Sequence, residues 1–278
     1  MEKLDPRLNA YRHDLADERL RGKVDAKRFV KGEPARIGVP VASVFKVADI
    51  AATQLTQALF GELIYVFEVS RGWAWVQLSR DGYVGYVHES TLMAPTTPPT
   101  HYVCNVCTIV FPNADIKAQP AWQFYQGSEL KITDKHGAFA LLHGTGAVHA
   151  KHLSPIGVYE KDFVAVAECF LNVPYYWGGK TLVGLDCSGL VQISLQAAGI
   201  EALRDSDMQE KSHGTPITDH NKLTRGDLVF WPGHVGIMQS ATQILHANGH
   251  YMKVTSELLS EVIARSDKPI SSIKRLTI

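Results

Sequence analysis

The feature that most constrains this chain is a set of short segments with a two-residue period between positions 41 and 95. LFGELIYVFEV and GWAWVQLS alternate apolar and polar residues, and RDGYVGYV carries an Asp-Gly turn. Alternation sends successive side chains to opposite faces, so each segment reads as a strand with one face in a core. Asp-Gly is turn chemistry that lets such strands pair. Residues 41–95 are therefore expected to form a small all-β unit.

Residues 100–155 repeat the plan. Gly61-Glu62-Leu63 returns as Glu129-Leu130 after Gly127-Ser128, with Leu63 and Leu130 67 residues apart. Val87-His88 with Leu92 returns as Val148-His149 with Leu153, 61 residues apart. Two tandem units with different loop lengths explain this better than one sheet. TTPPTH at 96–101 is the expected linker. Residues 1–40 are charged and weakly periodic. They read as a tail packed across a neighbouring domain, in which DLADERLRGKVDAKRF has the pattern of a solvated helix ended by GEPARIGVP.

From about residue 158 the texture changes. KDFVAVAECFLN has helical spacing, VPYYWGGKTLVG is a Pro/Gly-rich loop, and SGLVQISLQAAG is a second helix closed by Gly199. GDLVFWPG, HVGIMQ and QILHANG follow as strands. Helices ahead of an antiparallel sheet make residues 158–278 an α+β domain.

The whole chain excludes several classes. Its 278 residues suit two or three compact units. Lys+Arg and Asp+Glu both number 28, so the balanced charge gives no reason to expect nucleic acid or an anionic membrane as partner. No apolar run reaches the length of a membrane-spanning helix. The N-terminus lacks a basic stretch followed by an apolar one, so the expected compartment is the cytoplasm and the four cysteines are expected to be free thiols. The expected partner is a small molecule bound by a monomer.

The chemistry gathers around LDCSGLVQ at 185–192. Cys187 lies at the start of the second helix, where exposed N–H groups and the helix dipole favour a thiolate and can hold an oxyanion. A cysteine there is more often structural, so a base is needed to make it a nucleophile. His234 and His246 lie on neighbouring strands. A hairpin centred near Ser240 sets them opposite each other on one face. One imidazole can then serve the thiol while the other orients it, the nucleophile–base–orienter arrangement.

These residues carry a resemblance. D-C-S-G-L-V-Q, G-D-L-V-F-W, G-H-V-G-I and L-H-A-N-G resemble the NlpC-type cell-wall cysteine peptidases, a papain-like family. The paired β units resemble the tandem bacterial SH3-like barrels of one branch, the gamma-D-glutamyl-L-diamino acid endopeptidases of dipeptidyl-peptidase VI type. The resemblance implies a papain-like domain at 158–278 preceded by SH3-like barrels at 41–95 and 100–155. It implies Cys187 as nucleophile, His234 as general base and His246 as the orienting residue. It implies hydrolysis of the γ-D-Glu–diaminopimelate bond in free murein peptides with N-terminal L-Ala, in peptidoglycan recycling. Asp186 and Ser188 take the positions that bind the substrate amine, with Asp186 an otherwise unpaired buried carboxylate. Trp177, Asp205 and Ser206 match pocket-lining positions, and a tyrosine of the first barrel, Tyr83 or Tyr86, closes the pocket. No metal or organic cofactor is implied. Two other readings stay open: a lytic endopeptidase on intact wall with the barrels as anchors, and a wall-peptide binding module without turnover. Acyl transfer by a thioester is a third.

Other tempting residues have plainer roles. Cys104-x-x-Cys107 lacks a second ligand pair for zinc and reads as two strand cysteines. Cys169 reads as core, Asp227 as the organiser of a turn, and His213, His220 and His250 as peripheral. Trp73 and Trp75 read as barrel residues.

Overall fold

The computed structural model describes residues 4–95, 98–144 and 146–276, so Thr96 and Thr97 of the expected linker lie outside the described residues. The chain divides into two compact units, Met1–Ile156 and Gly157–Ile278. The whole is sheet-rich with few helices.

In the first unit a seven-stranded sheet runs in the order Gln54–Leu59, Val41–Phe45, Val84–His88, Trp73–Leu78, Leu63–Ser70, Glu33–Ile37, Leu92–Met93. The sheet takes up Glu33–Ile37, ahead of the expected boundary at 41. The segment before it is not a solvated helix. Leu15–Asp17 pairs in parallel with Arg28–Val30. Ala10 and Leu15 are buried against Phe67, Trp75 and Val84. Arg12 donates to Glu68 at 2.7 Å and to the Tyr86 hydroxyl at 2.8 Å, and its guanidinium lies 4.3 Å from the Trp75 ring centre. The segment is thus the packed tail expected of it, and the charges that suggested a solvated helix are the groups that dock it.

The internal repeat is visible in backbone hydrogen bonds. Gly61 N–H donates to Ile37 and Gly127 N–H to Val103, while Ile37 and Val103 donate back to Glu62 and Ser128. Each of these pairs of equivalent positions is 66 residues apart. The repeat register therefore matches Ile64 with Leu130, both buried, rather than Leu63 with Leu130. Gly61 and Gly127 hold left-handed φ of 80° and 85°, the conformation that turn demands of them. Downstream, a strand, a 3-10 turn and a strand at Val84–His88, Glu89–Thr91 and Leu92–Met93 recur at Ala147–His149, Ala150–His152 and Leu153–Pro155. The later copy packs around Val103, Val110, Phe124, Leu130, Ala140 and Val148. Cys104 falls in a turn after His101–Val103, and only Cys107 begins a strand.

In the second unit α1 spans Phe163–Glu168 and is capped by the Asp162 carboxylate, which accepts from the N–H groups of Val164 and Ala165. Helix α2 spans Cys187–Ala197, α3 Ser206–Ser212 and α4 Leu259–Arg265. Gly199, with φ of 75°, ends α2 as the sequence predicts. A six-stranded antiparallel sheet runs in the order Thr215–Pro216, Ser272–Arg275, Leu228–Trp231, His234–Met238, Gln243–Asn248, Lys253–Leu258. Leu228–Trp231, His234–Met238 and Gln243–Asn248 are the strands the sequence predicts. Helix α2 is buried along almost its whole length and packs on the His234–Met238 and Gln243–Asn248 strands.

Some minor residues sit differently from expectation. Cys169 is exposed, because it falls at the C-terminal cap of α1 beyond the buried face. His213 is buried rather than peripheral, and burial lowers its pKa. His250 is exposed, and the side chain of His220 lies outside the described residues. Asp227 orders its turn by accepting from Thr224 N–H at 2.8 Å and is also gripped by the Arg275 fork. Among the described residues no helix is long and apolar enough to cross a membrane.

Candidate active site

Cys187 is the first residue of α2, and Asp186 is its N-cap, with Oδ1 accepting from Gly189 N–H at 2.7 Å. The Asp-Cys-Ser order thus fixes the helix start. Asp186 is not the unpaired carboxylate of the sequence reading. Arg204, almost fully buried, donates to Oδ1 at 3.0 Å and to Oδ2 at 2.8 Å. Gly178 N–H adds a bond to Oδ2 at 2.8 Å, and Arg204 also donates to Ser188 Oγ at 2.8 Å. A buried carboxylate needs such partners, because a stranded charge there costs several kcal/mol. Sequence reading missed Arg204. No local signal marks it, since its partner lies 18 residues away on another element.

The sulfur is buried, and the backbone N–H groups of Val235 and Ser188 reach it. Burial first, then the Asp186 charge, push the Cys187 thiol up to about 12, against the opposite pull of those N–H groups and Arg204. The helix start alone was expected to favour a thiolate; desolvation outweighs it. The thiol is therefore protonated at rest, and reaction needs a base beside it.

Val235 follows His234. The register Ile237 opposite Leu245 and Met238 opposite Ile244 extends to Gly236 opposite His246. The hairpin centre is one residue later than Ser240, so the histidines are diagonal rather than directly opposed. A one-residue shift of the centre displaces partners by two, so both still share a face. A Cβ on Gly236 would sit 2.6 Å from Ile244 Cδ1 and 3.2 Å from His246 Cβ, so glycine there opens the space the diagonal needs. His234 Nε2 and His246 Nδ1 are 2.8 Å apart. That bond uses Nε2 of His234 and leaves its Nδ1 outside the pair. Burial, then the neighbouring His246, lower His234 to about 3, so both imidazoles are neutral at rest.

Behind them stands a residue the sequence reading missed. Glu257 Oε1 lies 2.7 Å from His246 Nε2, and Arg265 bonds both oxygens of Glu257. His246 pairs with Thr255 across the sheet, so Glu257 is its diagonal neighbour on the same face. Extending the alternation into KVTSEL would have found it.

The other expected pocket residues are placed as follows. Trp177 lies exposed on the loop before α2. Asp205 and Ser206 begin α3, whose Gln209 donates to the Ser188 carbonyl at 3.0 Å. Tyr83 belongs to the first unit, where it is buried and its N–H donates to Asp81 at 3.0 Å. Tyr86, in the same unit, accepts from Arg12. Tyr175, also unforeseen, is half-buried, and burial together with the charges of Cys187 and Asp186 raises its phenol pKa.

A thiol at a helix start, reached by the backbone of the strand that carries a histidine pair, is consistent with the arrangement of a papain-like cysteine peptidase. Residues 172–268 match the NlpC/P60 family, and residues 44–92 match the bacterial dipeptidyl-peptidase Sh3 domain. The chain thus carries a cysteine peptidase domain of the NlpC/P60 family behind a bacterial SH3 domain. It is 26% identical over 253 residues to the Gamma-D-glutamyl-L-lysine dipeptidyl-peptidase of Bacillus subtilis (strain 168), covering 79% of this chain and 80% of that one. It is 33% identical over 111 residues to the Dipeptidyl-peptidase 6 of Lysinibacillus sphaericus, covering 38% of this chain and only 40% of that protein. The crystal structure of an NlpC/P60 family protein from Bacillus cereus shares the fold, with a TM-score of 0.74 at 20% identity over 87% of this chain and 99% of that one.

Proposed function

We propose that this chain is a cysteine endopeptidase that hydrolyses the amide between γ-D-glutamate and the diamino acid of free murein peptides beginning with L-Ala, in peptidoglycan recycling in the cytoplasm. The observation that carries the reading is the hydrogen-bonded pair His234–His246, with the N–H of Val235, the residue after His234, reaching the Cys187 sulfur at the start of α2. The names of the relatives support the bond class. In this reading residues 41–95 and 100–155 are two SH3-like barrels that precede a peptidase domain at 158–278 in the chain. In this reading the protein acts as a monomer.

Cys187 Sγ attacks the γ-carbonyl carbon as its proton passes to His234 Nδ1. Backbone N–H groups at the start of α2 face the developing oxyanion. Collapse breaks the C–N bond, and His234 returns the proton to the departing amine. Water then hydrolyses the thioester, with His234 again taking the proton. Asp186 and Ser188 receive the L-Ala ammonium, with Trp177, Asp205 and Ser206 lining the pocket.

Arg204 changes how strongly that amine is selected. With Asp186 already paired, an acylated alanine leaves an unmet hydrogen bond, worth about 1–3 kcal/mol, rather than a stranded charge. The test is a paired digestion read by mass spectrometry, using L-Ala-γ-D-Glu-diaminopimelate and the same peptide with its amine acetylated, each also made with lysine. The expected result is release of the diamino acid from both, roughly 5- to 150-fold slower from the acetylated form. Equal rates would remove the amine pocket and favour action on intact wall. Binding without release would favour the non-catalytic reading.

A further inference from the structure

We propose that Glu257, held by Arg265, is a fourth member of the site: a positioning residue that fixes the proton positions of both histidines and so frees His234 Nδ1 to act as base. The inference rests on the reading of Cys187, His234 and His246 as the reacting set.

The argument is one of donors and acceptors. Arg265 bonds both oxygens of Glu257, with one guanidinium nitrogen on each. An ionised carboxylate only accepts hydrogen bonds. His246 Nε2, 2.7 Å from Oε1, must therefore carry a hydrogen. A neutral imidazole has one N–H, so His246 Nδ1 is left as an acceptor. Its partner at 2.8 Å, His234 Nε2, must then be the donor. With its hydrogen on Nε2, His234 keeps a lone pair on Nδ1. A single carboxylate thus decides two tautomers in succession. Without it, His246 could carry its hydrogen on Nδ1, which would turn His234 Nε2 into the acceptor and put a hydrogen on the nitrogen that should take the thiol proton.

The surroundings keep Glu257 ionised. Burial by itself raises its pKa, but the bonds from Arg265 and His246 outweigh burial, and the net direction is down. The charged groups acting on His234 are His246, Arg265 and Glu257, and Tyr251 and Glu261 act on Arg265. When His234 takes the thiol proton, the positive charge is met through His246 by the Glu257 carboxylate. Arg265 limits that help, and it also stops Glu257 from taking the proton itself. The pair orients the relay and is not its terminus.

The experiment combines long-range ¹H–¹⁵N NMR of the histidine rings with steady-state kinetics on the full chain. In the wild-type protein both His234 and His246 are expected as the Nε2–H tautomer. Glu257→Gln keeps shape, but its amide can donate as well as accept. It is expected to give mixed tautomers, a kcat lower by about 10- to 100-fold, and a KM within about twofold. Glu257→Asp is expected to recover part of kcat, and its melting temperature controls for folding. Glu257→Leu combined with Arg265→Met removes the buried charge altogether and should also show mixed tautomers. An Nδ1–H signal from His246 in the wild type would overturn the inference. So would an unchanged kcat and unchanged ring shifts in folded Glu257→Gln. If the wild type cleaves no murein peptide, the proposed function fails, and the ring tautomers still decide this inference.

Discussion

The two sides of the candidate site each rest on a carboxylate gripped by an arginine, and the two grips are built for different ends. On the helix side, Asp186 accepts from Gly178, Gly189 and Arg204, and Arg204 is 1% exposed. That pair is locked inside the protein and sets where α2 begins, and hence where Cys187 stands. On the strand side, Glu257 gives one oxygen to a titratable imidazole, and the Arg265 side chain is 26% exposed. That pair sits beside groups that must change their protons. A fully buried pair holds geometry; a pair bonded to an imidazole can govern protonation as well.

The comparison can be broken most strongly on the helix side. Arg204→Leu should leave Asp186 buried without its counter-charge and cost about 3–5 kcal/mol of stability, read by denaturant unfolding of the full chain. Arg265→Met should cost less, about 1–3 kcal/mol, since Glu257 is buried but keeps its bond to His246 and Arg265 itself is partly solvated, while altering turnover more than stability. Equal stability losses would erase the distinction.

A further effect is expected with pH. His234 has its folded pKa lowered to about 3 from the ordinary 6.5. Above pH 6.5 it is neutral folded or unfolded and contributes nothing to pH dependence. As pH falls below 6.5 the unfolded chain takes up a proton that the folded chain refuses. Stability should therefore decline steadily between about 6.5 and 3. His246, lowered in the same direction, adds to the decline. A His234→Phe variant should show a shallower decline in thermal unfolding from pH 7 to pH 4. An unchanged slope would mean His234 is solvated.

Much of the site was legible because it follows from local rules. The Asp-Cys-Ser start of a helix gives the nucleophile candidate, and parity puts His234 and His246 on one face even though the assumed hairpin centre was a residue off. What was not legible depends on tertiary partners. Arg204 and Glu257 acquire their meaning only when α3 and the Lys253–Leu258 strand are brought in. The role of Asp186 changed for the same reason, since its charge is already met. In the first unit, alternation located the Leu63–Ser70 and Trp73–Leu78 strands, and the repeat was visible to within one residue. The charged N-terminal segment is the packed tail that its composition suggests, but it holds strands and not a solvated helix, because composition does not say that Arg12 has Glu68, Tyr86 and Trp75 waiting for it.

The most direct measurement is turnover of L-Ala-γ-D-Glu-diaminopimelate by Cys187→Ala alongside the wild type, with circular dichroism confirming that both are folded. The account predicts release of diaminopimelate by the wild type and none detectable from the variant, with an acyl adduct on the Cys187 peptide of wild type quenched in acid during turnover. Release by folded Cys187→Ala at a rate near wild type would contradict it.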